Sequence, residues 1–327
     1  MRLRRIQSAD THEVQAEGPL GWVSLGRIPD LAAIGGEGGD LAHDMLAVLA
    51  LGTDGWSRLS RAIEGLEPNT ASAHAETLPF APASFRDFML FEEHVVAASR
   101  GYAKRFLPKL YPLTQLTEKL TGKPFPKFRP HPLWYQQPIY YLSNHLNIRS
   151  SGSEIRWPDY TDALDYELEL GAVLAHPLEN ASPEDAQAAI GGFVVLNDFS
   201  ARDVQKDEMD SGFGPQKAKH FASSISEVVV TSDEILPYIN ELDARVDING
   251  EVVARCSSRG MHHSMAEAIA FASKSEPLFP GELFGSGTLP GGAGIENNAW
   301  LAPGDRLRLT IDRVGSVENT ISRETKP

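Results

Sequence analysis

The sequence is poor in cysteine, and this scarcity excludes several kinds of protein. Cys256 is the only cysteine among 327 residues. A single cysteine excludes an intramolecular disulfide framework and a cysteine-rich zinc site. Because disulfides persist mainly in oxidising compartments, we expect a protein of a reducing compartment.

Long apolar runs and an excess of positive charge are also missing. No apolar run approaches the roughly 20 residues that a membrane span needs. The basic residues 1–5 (MRLRR) are followed by residues 6–10 (IQSAD), where a signal peptide would carry its apolar core. The net charge of −14 is the opposite of what a nucleic-acid-binding face requires. We therefore expect a cytosolic protein that binds neither membranes nor nucleic acids.

The apolar segments that are present are separated by dispersed glycine and proline. With 42% hydrophobic residues, 28 Gly and 22 Pro, the composition is typical of a globular protein with many turns. Residues 21–26 have the pattern of a short strand, and residues 40–50 have apolar residues at helical spacing. A proline-punctuated connector at residues 76–82 marks a boundary. We expect a small N-terminal domain over residues 1–80 and a larger domain over residues 81–327.

The larger domain is predicted to be rich in short strands. Residues 86–104 have the pattern of a helix, residues 105–137 that of an insertion or lid-like loop, and residues 264–274 that of a second helix. Asn249-Gly250 is a strong signal for a hairpin turn. The predicted strands cover residues 166–174, 192–196, 228–231, 242–248 and 306–311. This order predicts an α+β fold, mainly β, with antiparallel sheets rather than a doubly wound one.

Acidic residues lie at the ends of the apolar strands. Glu167 and Glu169 are two positions apart, so they share one face of a strand. Asp198 directly follows the apolar run at residues 193–196. For a single pair of this kind an ordinary solvated face is the usual explanation. Carboxylates that converge without a basic partner repel one another unless a cation lies among them. Ligands that are all oxygen suit Mg²⁺, Ca²⁺ or Mn²⁺ rather than zinc.

Three sequence motifs occur together and in a characteristic order. They are YELELG at 166–171, NDFSARDVQ at 197–205 and PGELFGSGTLPGG at 280–292, with PIYYLSN at 138–144 in support. Over residues 85–312 the chain resembles the fumarylacetoacetate hydrolase (FAH) superfamily. The resemblance implies a β-roll catalytic domain after the small N-terminal domain, a homodimer, and a carboxylate-bound Mg²⁺ or Ca²⁺.

The resemblance also implies a role for individual residues. It makes Glu167, Glu169 and Asp198 metal ligands, with Asp87 as the fourth. His94, seven residues after Asp87, is then the general base that activates a water. Seven residues are nearly two helical turns, so both side chains would project from one face of the predicted helix. A histidine on an amphipathic helix is otherwise more often a surface or packing residue.

Further positions match the family's substrate pocket. They are the substrate-binding Arg202 and Gln205, the pocket residues Tyr141 and Thr288, and Lys219, which neutralises negative charge on the substrate. Lys217 is a competing candidate for this last role. The family's decarboxylase and acylpyruvase branch places a Glu three residues after the histidine, where this chain has Ala97. The acid that orients His94 is not fixed by the alignment: Glu296 follows the Gly-Thr pair at a shorter spacing than the family has.

These expectations define one reaction and its alternatives. We expect a divalent-metal-dependent hydrolase that cleaves a C–C bond in a small β-dicarbonyl acid, such as fumarylacetoacetate or an acylpyruvate. The same enolate chemistry would serve a decarboxylase, or an isomerase or hydratase, of a small oxo-acid. A non-catalytic protein that binds metal and a small acid is the third alternative. It would need neither His94 nor Lys219.

Overall fold

The computed structural model describes residues 1–8, 11–35, 39–69 and 77–323. Its strands in chain order are β1 (Arg2–Ser8), β2 (Thr11–Gly18), β3 (Gly21–Ser24), β4 (Ser84–Phe88), β5 (Tyr140–Leu142), β6 (Ile148–Ser150), β7 (Glu154–Arg156), β8 (Leu164–Asp165), β9 (Leu168–Leu174), β10 (Ile190–Asp198), β11 (Ser200–Ala201), β12 (Ser223–Ile225), β13 (Val228–Thr231), β14 (Asp243–Ile248), β15 (Glu251–Ser257), β16 (Glu282–Gly285), β17 (Arg306–Ile311) and β18 (Gly315–Ser322). Its helices are α1 (Leu31–Gly35), α2 (Met45–Leu49), α3 (Gly52–Ile63), α4 (Glu92–Phe106), α5 (Tyr111–Thr121), α6 (Pro183–Ala189), α7 (Arg202–Asp210), α8 (Ser232–Ile235), α9 (Met265–Ala272) and α10 (Gly294–Asn297). The prediction of an α+β fold that is mainly β is confirmed.

Two sheets carry most of the described strands. The larger has the order β3-β2-β1-β13-β10-β9-β16-β4-β5, with β12 and β6 continuing from β10, and the smaller has the order β15-β14-β17-β18-β7. Strands β8 and β11 form a separate pair. The β16–β4, β12–β6 and β18–β7 pairs are parallel, and the other strand pairs are antiparallel. The expected hairpin at Asn249-Gly250 is present, with both residues at positive φ (55° and 86°) as its turn requires.

The central strands of the larger sheet are buried on both faces. On β10, Phe193 and Val195 pack into a core shared with the smaller sheet, whereas Val194 and Leu196 pack against the first 66 residues. Because both faces are covered, the sequences of these strands are continuous apolar runs. Strand β1 extends the same sheet through its pairing with β13. The domain boundary at residue 80 stays a prediction.

Two local predictions are wrong. Residues 86–104 are not one helix: β4 ends at Phe88 and α4 begins at Glu92, because residues 84–87 pair with β16. Asp87 and His94 therefore belong to different elements and do not share a helical face.

Residues 105–137 are not a simple loop, since they contain α5. Pro112 lies in the first turn of α5. A backbone N–H at that position has no partner within the helix, so the N–H that proline lacks is not missed. Gly122 ends the helix at φ 65°.

The remaining helix and strand predictions hold within a few residues. The helix predicted at 264–274 is α9, and a capping box between Ser264 and Glu267 fixes its start. The helix predicted at 40–50 is the shorter α2. Among the described residues, no helix combines the length and the apolar character needed to cross a membrane.

Candidate active site

Three buried carboxylates converge at the centre of the larger sheet. Asp87 lies on β4, Glu169 on β9 and Asp198 at the last position of β10, and all are at most 3% exposed. One oxygen of each lies within 4.8 Å of the other two. The convergence follows from the strand order β10-β9-β16-β4, in which β9 lies next to β10 and one strand away from β4. We call these residues the acidic cluster.

Gly285 of β16 makes the close approach of two of these carboxylates possible. It pairs with Gly171 on one side and with Asp87 on the other. A Cβ atom at Gly285 would lie 2.4 Å from Asp87 Oδ1 and 2.8 Å from Glu169 Oε2. The two acids therefore meet in space that any side chain at this position would fill.

The acidic cluster lacks positive partners on one side. Asp87 Oδ1 and both oxygens of Glu169 are buried and receive no donor from the described residues. Burial raises the pKa of Asp87 well above its ordinary value, and the nearby Asp198 raises it further. Burial and the neighbouring Asp87 do the same to the pKa of Glu169. A set of oxygen donors of this kind fits a hard divalent cation such as Mg²⁺, Ca²⁺ or Mn²⁺.

Asp198 differs from the other two acids because it already has donors. Its Oδ2 accepts a hydrogen bond from the Tyr141 hydroxyl at 2.5 Å and another from Lys219 Nζ. Its Oδ1 accepts from Ser223 Oγ at 3.2 Å. Burial, and secondly the charge of Asp198, raise the pKa of Tyr141 well above its ordinary value, so Tyr141 remains a phenol that donates.

Glu167 lies beside two cations rather than in the acidic cluster. Its Oε1 is 2.7 Å from Arg202 Nη2, and its Oε2 accepts from Lys219 Nζ at 2.5 Å. Burial alone would raise the pKa of Glu167, but Arg202 and Lys219 outweigh burial and lower it. Glu167 precedes β9 and forms a bridge with Ala293, and it does not join the three mutually close acids. Its role as a metal ligand stays a prediction.

A second buried carboxylate, Asp165, is also paired with Arg202. Its Oδ2 accepts a hydrogen bond from Arg202 Nε at 2.8 Å. Arg202 Nη1 in turn donates to Gln205 Oε1 at 3.0 Å. We call Asp165, Glu167, Arg202 and Lys219 the charge-paired group. Burial lowers the pKa of Lys219, but Asp198 and Glu167 raise it by more, so Lys219 is held as a cation.

His94 contacts acids on both sides of its ring. Its Nδ1 lies 3.2 Å from Glu296 Oε1, and its Nε2 lies 3.8 Å from Glu167 Oε1. Glu296 is fixed by the backbone N–H groups of Gly291 and Ala293, at 3.2 and 3.0 Å. A carboxylate at Nδ1 favours the tautomer with the proton on that nitrogen, which leaves Nε2 as an acceptor that faces the site.

Glu296, which the sequence left open as the acid that orients His94, is the carboxylate that faces Nδ1 of its ring. The turn at 291–297 folds back on α4, so the shorter spacing still brings the acid to the histidine. A Cβ atom at Gly101 of α4 would lie 1.9 Å from the carbonyl oxygen of Ile295. This glycine allows α4 and α10 to lie in contact, and nothing in the local sequence pattern signals it.

The remaining predicted residues are placed unequally. Lys219 is buried in the site, whereas Lys217 is exposed and lies 5.0 Å from the Tyr160 ring. Thr288 is buried, and its hydroxyl has no partner among the described residues. The next residue, Leu289, donates its N–H to the carbonyl of Leu168, which places Thr288 beside the start of β9.

Comparison with family models identifies the class of protein that has this fold and this site. The family model described as fumarylacetoacetate (FAA) hydrolase C-terminal matches residues 116–322. The chain belongs to this family, as its motifs predict.

Curated relatives include proteins with different named activities. The chain is 30% identical over 187 residues to the oxaloacetate tautomerase fahd2 of Xenopus laevis, covering 57% of this chain and 58% of that protein. It is 30% identical over 192 residues to the oxaloacetate tautomerase YisK of Bacillus subtilis, covering 58% and 61%. It is 27% identical over 188 residues to a 2,4-didehydro-3-deoxy-L-rhamnonate hydrolase of Sphingomonas, covering 57% and 65%. The match thus spans about three fifths of each of these relatives.

Solved structures share the fold over the whole chain. A fumarylacetoacetate hydrolase from Exiguobacterium antarcticum superposes with a TM-score of 0.67 at 17% identity, covering 99% of this chain and 100% of that one. A 5-carboxymethyl-2-hydroxymuconate delta-isomerase from Mycobacterium smegmatis gives 0.65 at 19% identity and covers both chains fully. At these identities the likeness concerns the fold alone.

Proposed function

We propose that the chain is a divalent-metal-dependent enzyme that hydrolyses a C–C bond in a small β-dicarbonyl acid of the fumarylacetoacetate or acylpyruvate kind. The observation that carries the proposal is the position of His94. Its Nδ1 faces Glu296, and its Nε2 faces the side of the site that holds Glu167. A base oriented in this way, next to cation-binding oxygens, is what hydrolysis of a chelating substrate requires.

The metal ligands in this proposal are Asp87, Glu169 and Asp198, with Glu167 as the predicted fourth. The unpartnered oxygens of Asp87 and Glu169 fit Mg²⁺ or Ca²⁺, and Mn²⁺ has the same donor preference. Once bound, such an ion supplies a Lewis acid that polarises the oxygens of a chelating dicarbonyl acid.

The protein's own side chains carry the proton and the charge. His94 Nε2 removes a proton from a water directed at the distal carbonyl, while Glu296 stabilises the imidazolium that forms. Addition of the hydroxide to the carbonyl carbon forms a tetrahedral intermediate. Its collapse breaks the C–C bond and leaves the bonding electrons on the departing fragment as an enolate, which the imidazolium of His94 finally protonates at carbon. Lys219 and Arg202 hold positive charge beside this anion. Tyr141, Gln205 and Thr288 orient the substrate.

Tautomerisation of oxaloacetate is the second candidate function. Two curated relatives at 30% identity are named oxaloacetate tautomerases. The same base, His94, could move a proton between carbon and oxygen without breaking a C–C bond. Ala97 makes decarboxylation less suited to this site, because that branch of the family has a second acid near the histidine.

Turnover by the wild type and by His94→Ala tests the proposal. With Mg²⁺ present, we expect the wild type to split acylpyruvates or fumarylacetoacetate. Loss of the base should lower kcat by about 10²–10⁴-fold. Mg²⁺ affinity, measured by calorimetry, should not change, because His94 is not a ligand. His43→Ala is the matched control, since His43 is exposed and its one partner among the described residues is Asp40.

Two outcomes would contradict the proposal. A His94→Ala enzyme with wild-type kcat would remove the base. Enol–keto conversion of oxaloacetate without hydrolysis of any acylpyruvate or fumarylacetoacetate would give the site to the tautomerase function.

We also propose that the protein is a cytosolic homodimer assembled through the β-rich domain, with the N-terminal unit at the periphery. The basis is the family to which the chain belongs. A monomer in sedimentation at micromolar concentration would contradict it.

A further inference from the structure

We propose that Asp165 is a positioning residue that fixes Arg202 and the turn bearing Glu296 relative to each other. The inference rests on the proposed function, because it assigns Asp165 to the geometry of the same reaction. It adds a residue that touches neither the acidic cluster nor His94.

All the acceptor positions of the Asp165 carboxylate are used. Its Oδ1 accepts from the backbone N–H groups of Tyr166 and Gly294, both at 2.9 Å. Its Oδ2 accepts from the N–H of Ile295 at 3.0 Å and from Arg202 Nε at 2.8 Å. The side chain is completely buried. Pairing and hydrogen bonding of this kind offset the free-energy cost of burying a charged carboxylate.

The contact with the turn depends on a glycine. A Cβ atom at Gly294 would lie 2.3 Å from Asp165 Oδ1. The carboxylate therefore occupies the space where a side chain at Gly294 would be. The absence of a side chain at Gly294 thus allows the N–H groups of Gly294 and Ile295 to come close enough to donate to Asp165.

Each side of Asp165 leads to a different part of the site. On one side Arg202 continues to Glu167, with Nη2 2.7 Å from Oε1. On the other side the turn carries Glu296 to Nδ1 of His94 at 3.2 Å. One carboxylate thus sets the separation between the guanidinium that holds charge and the acid that orients the base. Misplacement of either should slow the chemical step more than it weakens substrate binding.

Asp165→Asn tests this role with almost no change in shape. An amide presents only one acceptor oxygen, so either Tyr166 and Gly294 or Ile295 and Arg202 lose their acceptor, and the turn loses one hydrogen bond in both cases. We expect kcat to fall by about 10–100-fold, as for other residues that act through a neighbour. KM and Mg²⁺ affinity should stay near their wild-type values. Hydrogen exchange of the amides in residues 291–297 should become faster in the protein without substrate.

Asp305→Asn is the matched control. Asp305 also fixes a turn, through the N–H of Ala302 and the side-chain amide of Asn249, both at 2.7 Å, and neither partner belongs to the site. Its substitution should leave kcat and exchange at 291–297 unchanged.

The outcomes separate this inference from the proposed function. Unchanged exchange at 291–297 in Asp165→Asn would overturn the inference, and so would faster exchange with wild-type kcat. If the wild type turns over no dicarbonyl acid, the proposed function fails, and the exchange measurement alone decides on Asp165. If Asp165→Asn does not fold, Gly294→Ala tests the same contact from the turn. Wild-type kcat and exchange in that variant would overturn the inference.

Discussion

Two groups of buried carboxylates lie side by side in this site and differ in what surrounds them. In the acidic cluster, Asp87 Oδ1 and both oxygens of Glu169 receive no donor from the described residues. In the charge-paired group, Asp165 and Glu167 contact Arg202, and Glu167 also contacts Lys219. The two groups meet where Lys219 donates to both Glu167 and Asp198.

The difference shows how the chain divides its charge. Asp165 and Glu167 form ion pairs with Arg202, and Glu167 also pairs with Lys219. Among the described residues no cation donates to Asp87 Oδ1 or to Glu169, and burial raises the pKa of both acids, with a further increase from Asp198 for Asp87 and from Asp87 for Glu169. An unpaired buried carboxylate is unfavourable by several kcal/mol. That arrangement is stable only if protons or a cation neutralise the acidic cluster.

The largest expected effect separates the two groups directly. In the metal-free protein, Glu167→Gln should lower the free energy of unfolding by about 3–5 kcal/mol, because it breaks a buried ion pair. Glu169→Gln should not destabilise the metal-free protein, because it removes a buried carboxylate that has no positive partner. Urea unfolding in EDTA measures both. Equal losses for the two variants would show that the groups do not differ.

Glu169→Gln has a second consequence when metal is present. Mg²⁺ at 100 times its Kd should stabilise the wild type by about 2.7 kcal/mol. The variant should lose this gain and its turnover, because it has lost a ligand. Glu167→Gln should keep a larger part of the gain if Glu167 acts mainly as a partner of Arg202 and Lys219.

The pH dependence of the metal effect follows from the raised pKa values of Asp87 and Glu169. A carboxyl whose pKa is higher in the folded than in the unfolded state contributes stability below its unfolded pKa, about 4. That stability is lost as the pH rises through the folded pKa. The metal-free protein should therefore lose stability above about pH 4. The gain in Tm on adding Mg²⁺ should be larger at high pH than at low pH. A gain that is independent of pH would contradict this.

Sequence motifs found Asp87, Glu167, Glu169 and Asp198, but neither Asp165 nor the division of the acids into two groups. Glu167 and Glu169 look equivalent in YELELG, and the alternation of a strand would place them on one face. The division arises because β9 begins only at Leu168, so that Glu167 bridges to Ala293 instead. Which partner a residue meets at a strand end depends on contacts between distant segments, and local periodicity carries no information about them.

The elements around the site were predictable to the same degree. The long antiparallel strands were recognised because buried apolar runs are specific. Strand β4 was mistaken for part of a helix, since five residues are too short to show a period and their partner strand lies far along the chain. Helix α5 was missed because residues 105–137 are rich in proline, lysine and aromatic residues and show no clear periodicity, although Pro112 lies in the first helical turn, where proline is favoured.

The smallest expected effect concerns the space inside the acidic cluster. In Gly285→Ala the new methyl group would lie 2.4 Å from Asp87 Oδ1 and 2.8 Å from Glu169 Oε2, so both carboxylates must move. Overpacking of this size lowers stability by about 1–3 kcal/mol. We also expect weaker Mg²⁺ binding in calorimetry, because the displaced oxygens no longer converge.

Gly171→Ala provides the control that makes this measurement specific. Gly171 pairs with Gly285 across the sheet, but a Cβ atom there would lie 2.8 Å from Val194 Cγ2 and 3.1 Å from Leu283 Cδ1, which are apolar core atoms. Its substitution should destabilise the fold to a similar extent and leave Mg²⁺ affinity unchanged. Equal Mg²⁺ affinity in the two variants would mean that Asp87 and Glu169 adapt freely. The glycine would then be needed for sheet packing and not for the geometry of the acidic cluster.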